Sequence, residues 1–126
     1  MIKDYSKYLK KQKCIIFLFH GVYKNNNYKL VNYTRKHLHK NYFKKVLKKL
    51  IKKGKCISIE EVHYRIKNNI NFNDFSYAIS FDDGFYNNYS VAIPILMKMK
   101  LPAVFYITYD FVNKGLASWT DQLEYI

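Results

Sequence analysis

The sequence predicts an α/β protein built on a parallel sheet or barrel. Four short apolar runs, at 14–19, 55–59, 77–81 and 102–107, have the length and boundaries of strands. Segments with helical periodicity separate them, and the connections are far too long for hairpins. No internal repeat or linker divides the 126 residues, so a single domain is expected.

Each element has its own signal. Residues 1–13 are basic and amphipathic and read as a short helix or N-terminal arm. CIIFLF at 14–19 reads as a strand buried on both faces, ended by His20 and Gly21. Residues 24–36, with three consecutive asparagines, read as a loop. In 41–53, Phe43, Val46, Leu47, Leu50 and Ile51 mark one helical face, with Asn41 as N-cap and Gly54 as C-cap. Lysines occupy its other face. KCISI at 55–59 is a second strand, and Ser58 or the acids at 60–61 open a helix to about Asn68. YAISF at 77–81 is the third strand. A helix from about Tyr89 to Lys100 carries Pro94 near its first turn, where the missing N–H costs least. PAVFYI at 102–107 is the fourth strand. A loop and a new helix complete the chain, with Ser118 or Thr120 near the helix start.

Composition narrows the function classes. Hydrophobic residues make up 49% and aromatics 18%, which excludes a disordered chain. The net charge is +13, which raises a nucleic-acid or anionic-membrane partner. Only Arg35 and Arg65 are arginines, however, and arginine is the side chain suited to phosphate and guanine edges. A compositional bias toward lysine explains the charge better than nucleic-acid binding. Cys14 and Cys56 open apolar runs without a C-x-x-C pair, so they read as buried free thiols. The run at 14–19 is too short for a signal-peptide core or a membrane span, so the chain reads as cytoplasmic.

The chemistry-bearing stretch is AISFDDGFYNN at 78–88. A buried strand stops on Asp82 and Asp83, and Gly84 follows. In parallel α/β sheets and barrels, functional side chains gather where strands end at their C-terminal side. His20 ends the first strand, and Thr108 and Asp110 follow the fourth. Adjacent carboxylates repel and are tolerated in a cleft if a cation binds one or one keeps its proton. One metal ligand and one general base is a natural division of labour. Asp-Asp-Gly is also ordinary turn chemistry, and the residues alone leave the two readings even.

The flanks extend the pattern. ISFDDGF with NNYSVAIPILMKMKLPAVFYIT resembles the first motif of polysaccharide deacetylases of the NodB-homology type. FLFHGV at 17–22 resembles the Y-H-x-V segment that opens many members, with Phe19 in place of tyrosine. YFKKVLKKLIKKGKCISIEEV at 42–62 and SWTDQLEYI at 118–126 resemble two further segments, the second being the start of a helical insertion here bounded at 114–126. The resemblance implies the N-terminal portion of a distorted, seven-stranded (β/α) barrel. It implies metal-dependent removal of acetyl groups from N-acetylated oligo- or polysaccharides. By position, Asp82 is the general base and Asp83 the carboxylate ligand of a divalent metal, usually zinc. His20, Gly84 and Phe85 line the pocket.

One departure matters most. The family takes two further metal ligands from a later H-S/T-x-x-H motif. The four histidines here, His20, His37, His39 and His63, all precede Asp82, and none has that spacing. A metal on Asp83, His20 and water would be weakly held. His37 and His39 read as a polar pair feeding the helix. The expectation is a truncated deacetylase domain, inactive alone, with open strand edges and a complementary C-terminal half on another chain as a candidate partner. The rival readings are a catalytically dead glycan-binding remnant and, behind it, a basic nucleic-acid binder.

Overall fold

The computed structural model describes residues 14–25 and 32–124. The expected N-terminal arm at 1–13, half of the 24–36 loop and the last two residues lie outside them. In chain order the elements are β1 (Cys14–Phe19), β2 (Gly21–Tyr23), β3 (His37–His39), α1 (Lys40–Lys53), β4 (Lys55–Cys56) and α2 (Ile59–Lys67). Then come β5 (Ser76–Phe81), a π-helical turn (Asn88–Ala92), α3 (Ile93–Met99), β6 (Val104–Phe105), α4 (Tyr109–Lys114) and α5 (Trp119–Glu124).

β1, β4, β5 and β6 form a parallel sheet centred on β5, and β2 and β3 form a separate parallel pair. All six residues of β1 pair with all six of β5, from Cys14 against Ser76 to Phe19 against Phe81. The other edge of β5 is shared: β4 pairs with Ser76 and Tyr77, and β6 with Ser80 and Phe81. This mixed α/β layer agrees with the expected class. Among the described residues the sheet does not close into a barrel. None of their helices is long and apolar enough to cross a membrane.

Tyr77 through Phe81 are all buried, as a central parallel strand requires. One face of the sheet packs against α1 and α3. Tyr77, Ile79 and Phe81 meet Phe43, Leu47 and Leu50 of α1 and Ile95 and Leu96 of α3. Each such side chain contributes about 1.5–3 kcal/mol when fully buried. On the opposite face Ala78 meets Ile57 and Val62, at the α2 end only.

Several boundaries depart from expectation. β1 is not buried on both faces: Ile16 and Leu18 are 51% and 53% exposed. They share the face of Ala78 and Ser80, their register partners, and α2 covers that face only near β4. The expected second and fourth strands shrink to two residues each, though Ile57 N–H donates to Tyr77 O at 2.8 Å and Tyr106 N–H to Phe81 O at 2.8 Å. The α1 N-cap is His39, not Asn41: its Nδ1 accepts from Asn41 N–H. Ser58 caps α2 by accepting from Glu61 N–H.

The helix expected from 89 to 100 is split by its proline. Pro94 cannot donate to the carbonyl of Ser90, and its ring crowds that carbonyl. The chain widens instead, and Ile93 N–H reaches back five residues to Asn88 O. The parallel pair of β2 and β3, Gly21 against His37 through Tyr23 against His39, had no signal in the sequence.

A candidate active site at the end of the central strand

The register fixes where the acids emerge. Phe19 and Phe81 are partners, and Asp82 N–H donates to Phe19 O at 3.0 Å. His20 and Asp82 therefore leave neighbouring strands at the same level, on the C-terminal edge. On the far side of β5, Tyr106 to Thr108 leave β6 at that edge. Asp82, Asp83, Gly84, Phe85 and His20 are all half-buried.

The turn itself is unusual. Asp83 and Gly84 both have left-handed backbone, with φ of 73° and 72°. Glycine adopts this freely, but an L-residue pays roughly 1–2 kcal/mol, aspartate being among the more tolerant. A Cβ on Gly84 would press on Ile107 and on Val112 of α4, at 3.2–3.4 Å. The turn thus lies against the segment following β6. Asp110, expected at this edge, instead pairs with Lys114 at 2.9 Å on the exposed surface of α4.

The next residues are clamped by the strand pair that sequence reading missed. The Phe85 ring stands edge-on to the His37 ring, with centroids 4.7 Å apart. Asn87 Nδ2 lies 3.2 Å from His37 Nδ1, and Asn87 Oδ1 accepts from Val22 N–H at 3.3 Å. Asn32 in turn brackets the His37 backbone, accepting from its N–H and donating to its carbonyl. His37 comes so close to the chain that a Cβ on Gly21 would fall on its Nδ1. That close approach is why residue 21 is glycine. His37 and His39 do not form a chelating pair: His39 caps α1 beside Tyr23, while His37 supports the DDGF turn. His63 is exposed on α2.

A buried ion pair backs this arrangement. Lys36 Nζ lies 2.6 Å from Asp121 Oδ1, and the two side chains are 11% and 8% exposed. Lys36 also donates to Ser118 Oγ and Thr120 Oγ1, at 3.1 and 2.9 Å. Ser118 donates to Asp121 Oδ2 and accepts from Asp121 N–H, so it opens α5 as expected. Burial pushes the Asp121 carboxyl up, but hydrogen bonds from Lys36 and Ser118, with the charges of Lys36 and His37, outweigh it. The carboxyl is held below its ordinary range. The Lys36 ammonium also sits 5.2 Å from the Phe85 ring centroid. Residues 36–37 thus link α5 to the turn that carries the two aspartates.

The donor set for a metal is incomplete. A catalytic zinc site takes three protein ligands and an open position. Among the described residues no three His, Cys, Asp or Glu side chains converge on one point. Asp83 and His20 therefore do not make up a zinc site with other described residues. The two cysteines stand apart from the turn and are half-buried rather than buried. Burial pushes the Cys56 thiol up to about 11, and its Sγ–H donates weakly to Pro102 O at 3.7 Å.

No protein-family model matches the chain, and no curated protein does. Solved structures do match. A de-N-acetylase from Aggregatibacter actinomycetemcomitans superposes with a TM-score of 0.63 at 21% identity, over 79% of this chain and 39% of that one. The Streptococcus pyogenes deacetylase PplD, solved with acetate, gives 0.65 at 24% identity, over 86% and 48%. The chain spans less than half the length of either. It has a polysaccharide deacetylase-like fold over the part they share.

Proposed function

We propose that the chain supplies the aspartate half of a deacetylase-type site acting on N-acetylated sugars. In this reading the sheet is the first part of a (β/α) barrel. Asp82 is the general base and takes a proton from the attacking water. The oxygen adds to the acetyl carbon, the C–N bond breaks, the sugar amine leaves with a proton, and acetate remains. Asp83 offers one carboxylate to a divalent metal, zinc in the first instance. The described residues do not complete that metal's ligand set, so the other ligands have to come from outside them. His20, Gly84 and Phe85 shape the pocket.

The observation that carries this reading is the paired carboxylates at the C-terminal end of a central parallel strand, with Asp83 in left-handed backbone, within this fold. Left-handed backbone at a non-glycine residue is the kind of strain that gathers at functional sites. The isolated chain is expected to bind N-acetylated oligosaccharide weakly and to release no acetate. The test is chitooligosaccharide binding and acetate release, with zinc added, for the parent chain and Asp82→Asn. Acetate release by the chain alone would refute the half-site. Tight binding without turnover, unchanged in Asp82→Asn, would favour a glycan-binding module instead.

A further inference from the structure

The charge of this chain is divided along its length. Residues 5–59 hold sixteen basic residues and no acid, whereas residues 60–126 hold five basic residues and eight acids. A uniform drift toward lysine would raise both parts alike. It would not empty one of them of carboxylates. A charge asymmetry between halves points to a polyanionic partner.

The structure gathers part of this charge on one face. α1 buries Phe43, Leu47 and Leu50 and exposes Lys44, Lys45, Lys48, Lys49, Lys52 and Lys53. The helix contains no acid. Lys44, Lys48 and Lys52 form one i,i+4 series and Lys45, Lys49 and Lys53 another. Like charges at that spacing weaken a helix, where Glu–Lys pairs would strengthen it. The ion pairs among the described residues are Lys36–Asp121, Arg65–Glu61 and Lys114–Asp110, and none uses α1. Ile51, at the border of the lysine face, was expected in the core but is 46% exposed.

We propose that this face of α1 docks the protein on an anionic lipid surface. Charge complementarity carries the assignment, and two details favour lipid over nucleic acid. The face has no arginine, the residue that reads phosphate and base edges by its planar fork. Lysine ammonium groups suit a diffuse headgroup layer, where each contributes to binding separately. An apolar side chain beside them, Ile51, reaches into the boundary between headgroups and acyl chains. The face is about 21 Å long, at 1.5 Å rise per residue.

The test is co-sedimentation of the full chain with phosphatidylcholine vesicles, with and without about 30% phosphatidylserine. Binding is expected only to the anionic vesicles, and is lost between about 0.1 and 0.5 M salt. Lys44→Ala/Lys48→Ala/Lys52→Ala is expected to weaken it roughly a hundredfold, at about fivefold per lysine. Its thermal midpoint should not fall, since like charges are removed from an exposed face. Ile51→Ser should weaken binding several-fold without changing its salt dependence. No binding to anionic vesicles overturns the proposal, as does a triple variant that binds like the parent. So does duplex DNA that binds more tightly than the vesicles at equal phosphate concentration.

Discussion

Lys36→Met should be among the most damaging single substitutions in this protein. The parent pair is 2.6 Å apart with both side chains about nine-tenths buried. Removing Lys36 leaves the Asp121 carboxylate buried with Ser118 as its side-chain donor. Breaking one partner of a buried pair costs about 3–5 kcal/mol, whereas an exposed pair is worth less than about 1. Against a total stability of about 5–15 kcal/mol for a domain, that is a large share. In urea, with a slope of about 1–3 kcal/mol per molar, the midpoint should drop by roughly 2 M. Lys36→Met/Asp121→Leu removes both charges and should recover most of the loss, so the double-mutant cycle should show strong coupling. The pH dependence has a definite sign. The folded Asp121 carboxyl titrates below its unfolded value, so its contribution is complete above about pH 4. It is lost as pH falls through the folded value, and that step should be missing in Asp121→Asn. A single substitution costing under about 1 kcal/mol would show that the pair behaves as a surface contact, and the linkage from α5 to the DDGF turn would fail with it.

Other perturbations probe the turn, its supports and the sheet behind them. Gly21→Ala places a methyl on His37 Nδ1 and against Asn87 Oδ1, and should cost about 1–3 kcal/mol in urea denaturation. Adding His37→Ala opens that space, so the two losses should fall short of additive; strict additivity would contradict the close approach. Asp83→Gly should stabilise by about 1 kcal/mol, and Asp83→Val should destabilise by about as much or more, because only the backbone geometry differs in favour of glycine. A loss on Asp83→Gly would mean that the aspartate side chain holds the turn in place. Cys56, with its thiol raised to about 11, should be about one part in a thousand thiolate at pH 8. Mass spectrometry of its peptide should show slow alkylation in the native protein and rapid alkylation in urea.

What could be read from the sequence was local. β5 announced itself as an apolar run stopped by Asp82, and the buried face of α1 followed from Phe43, Leu47 and Leu50 at helical spacing. Ser58 and Ser118 were legible as helix starts, because a hydroxyl acceptor three residues before a free N–H is a short-range pattern. Pro94 is legible as a first-turn residue and is the second residue of α3; the wide turn ahead of it is not legible. The supports of the site were not legible. Strands as short as β2 and β3 carry no periodicity. His37 meets Asn87 across 50 residues, and Lys36 meets Ser118 and Thr120 across 82 and 84. Nothing in a single sequence pairs residues so distant. Burial of β1 was overread for a related reason: an apolar run tells that a strand is buried, not how many layers cover it.

Acetate release from an N-acetylated chitooligosaccharide decides whether Asp82 and Asp83 form half of a deacetylase site. The chain is assayed with zinc, alone and with a protein segment carrying a His-x-x-x-His motif. No release is expected from the chain alone, release is expected when the segment is supplied, and Asp82→Asn should abolish it. Turnover by the chain alone, or turnover that survives Asp82→Asn, would contradict the half-site.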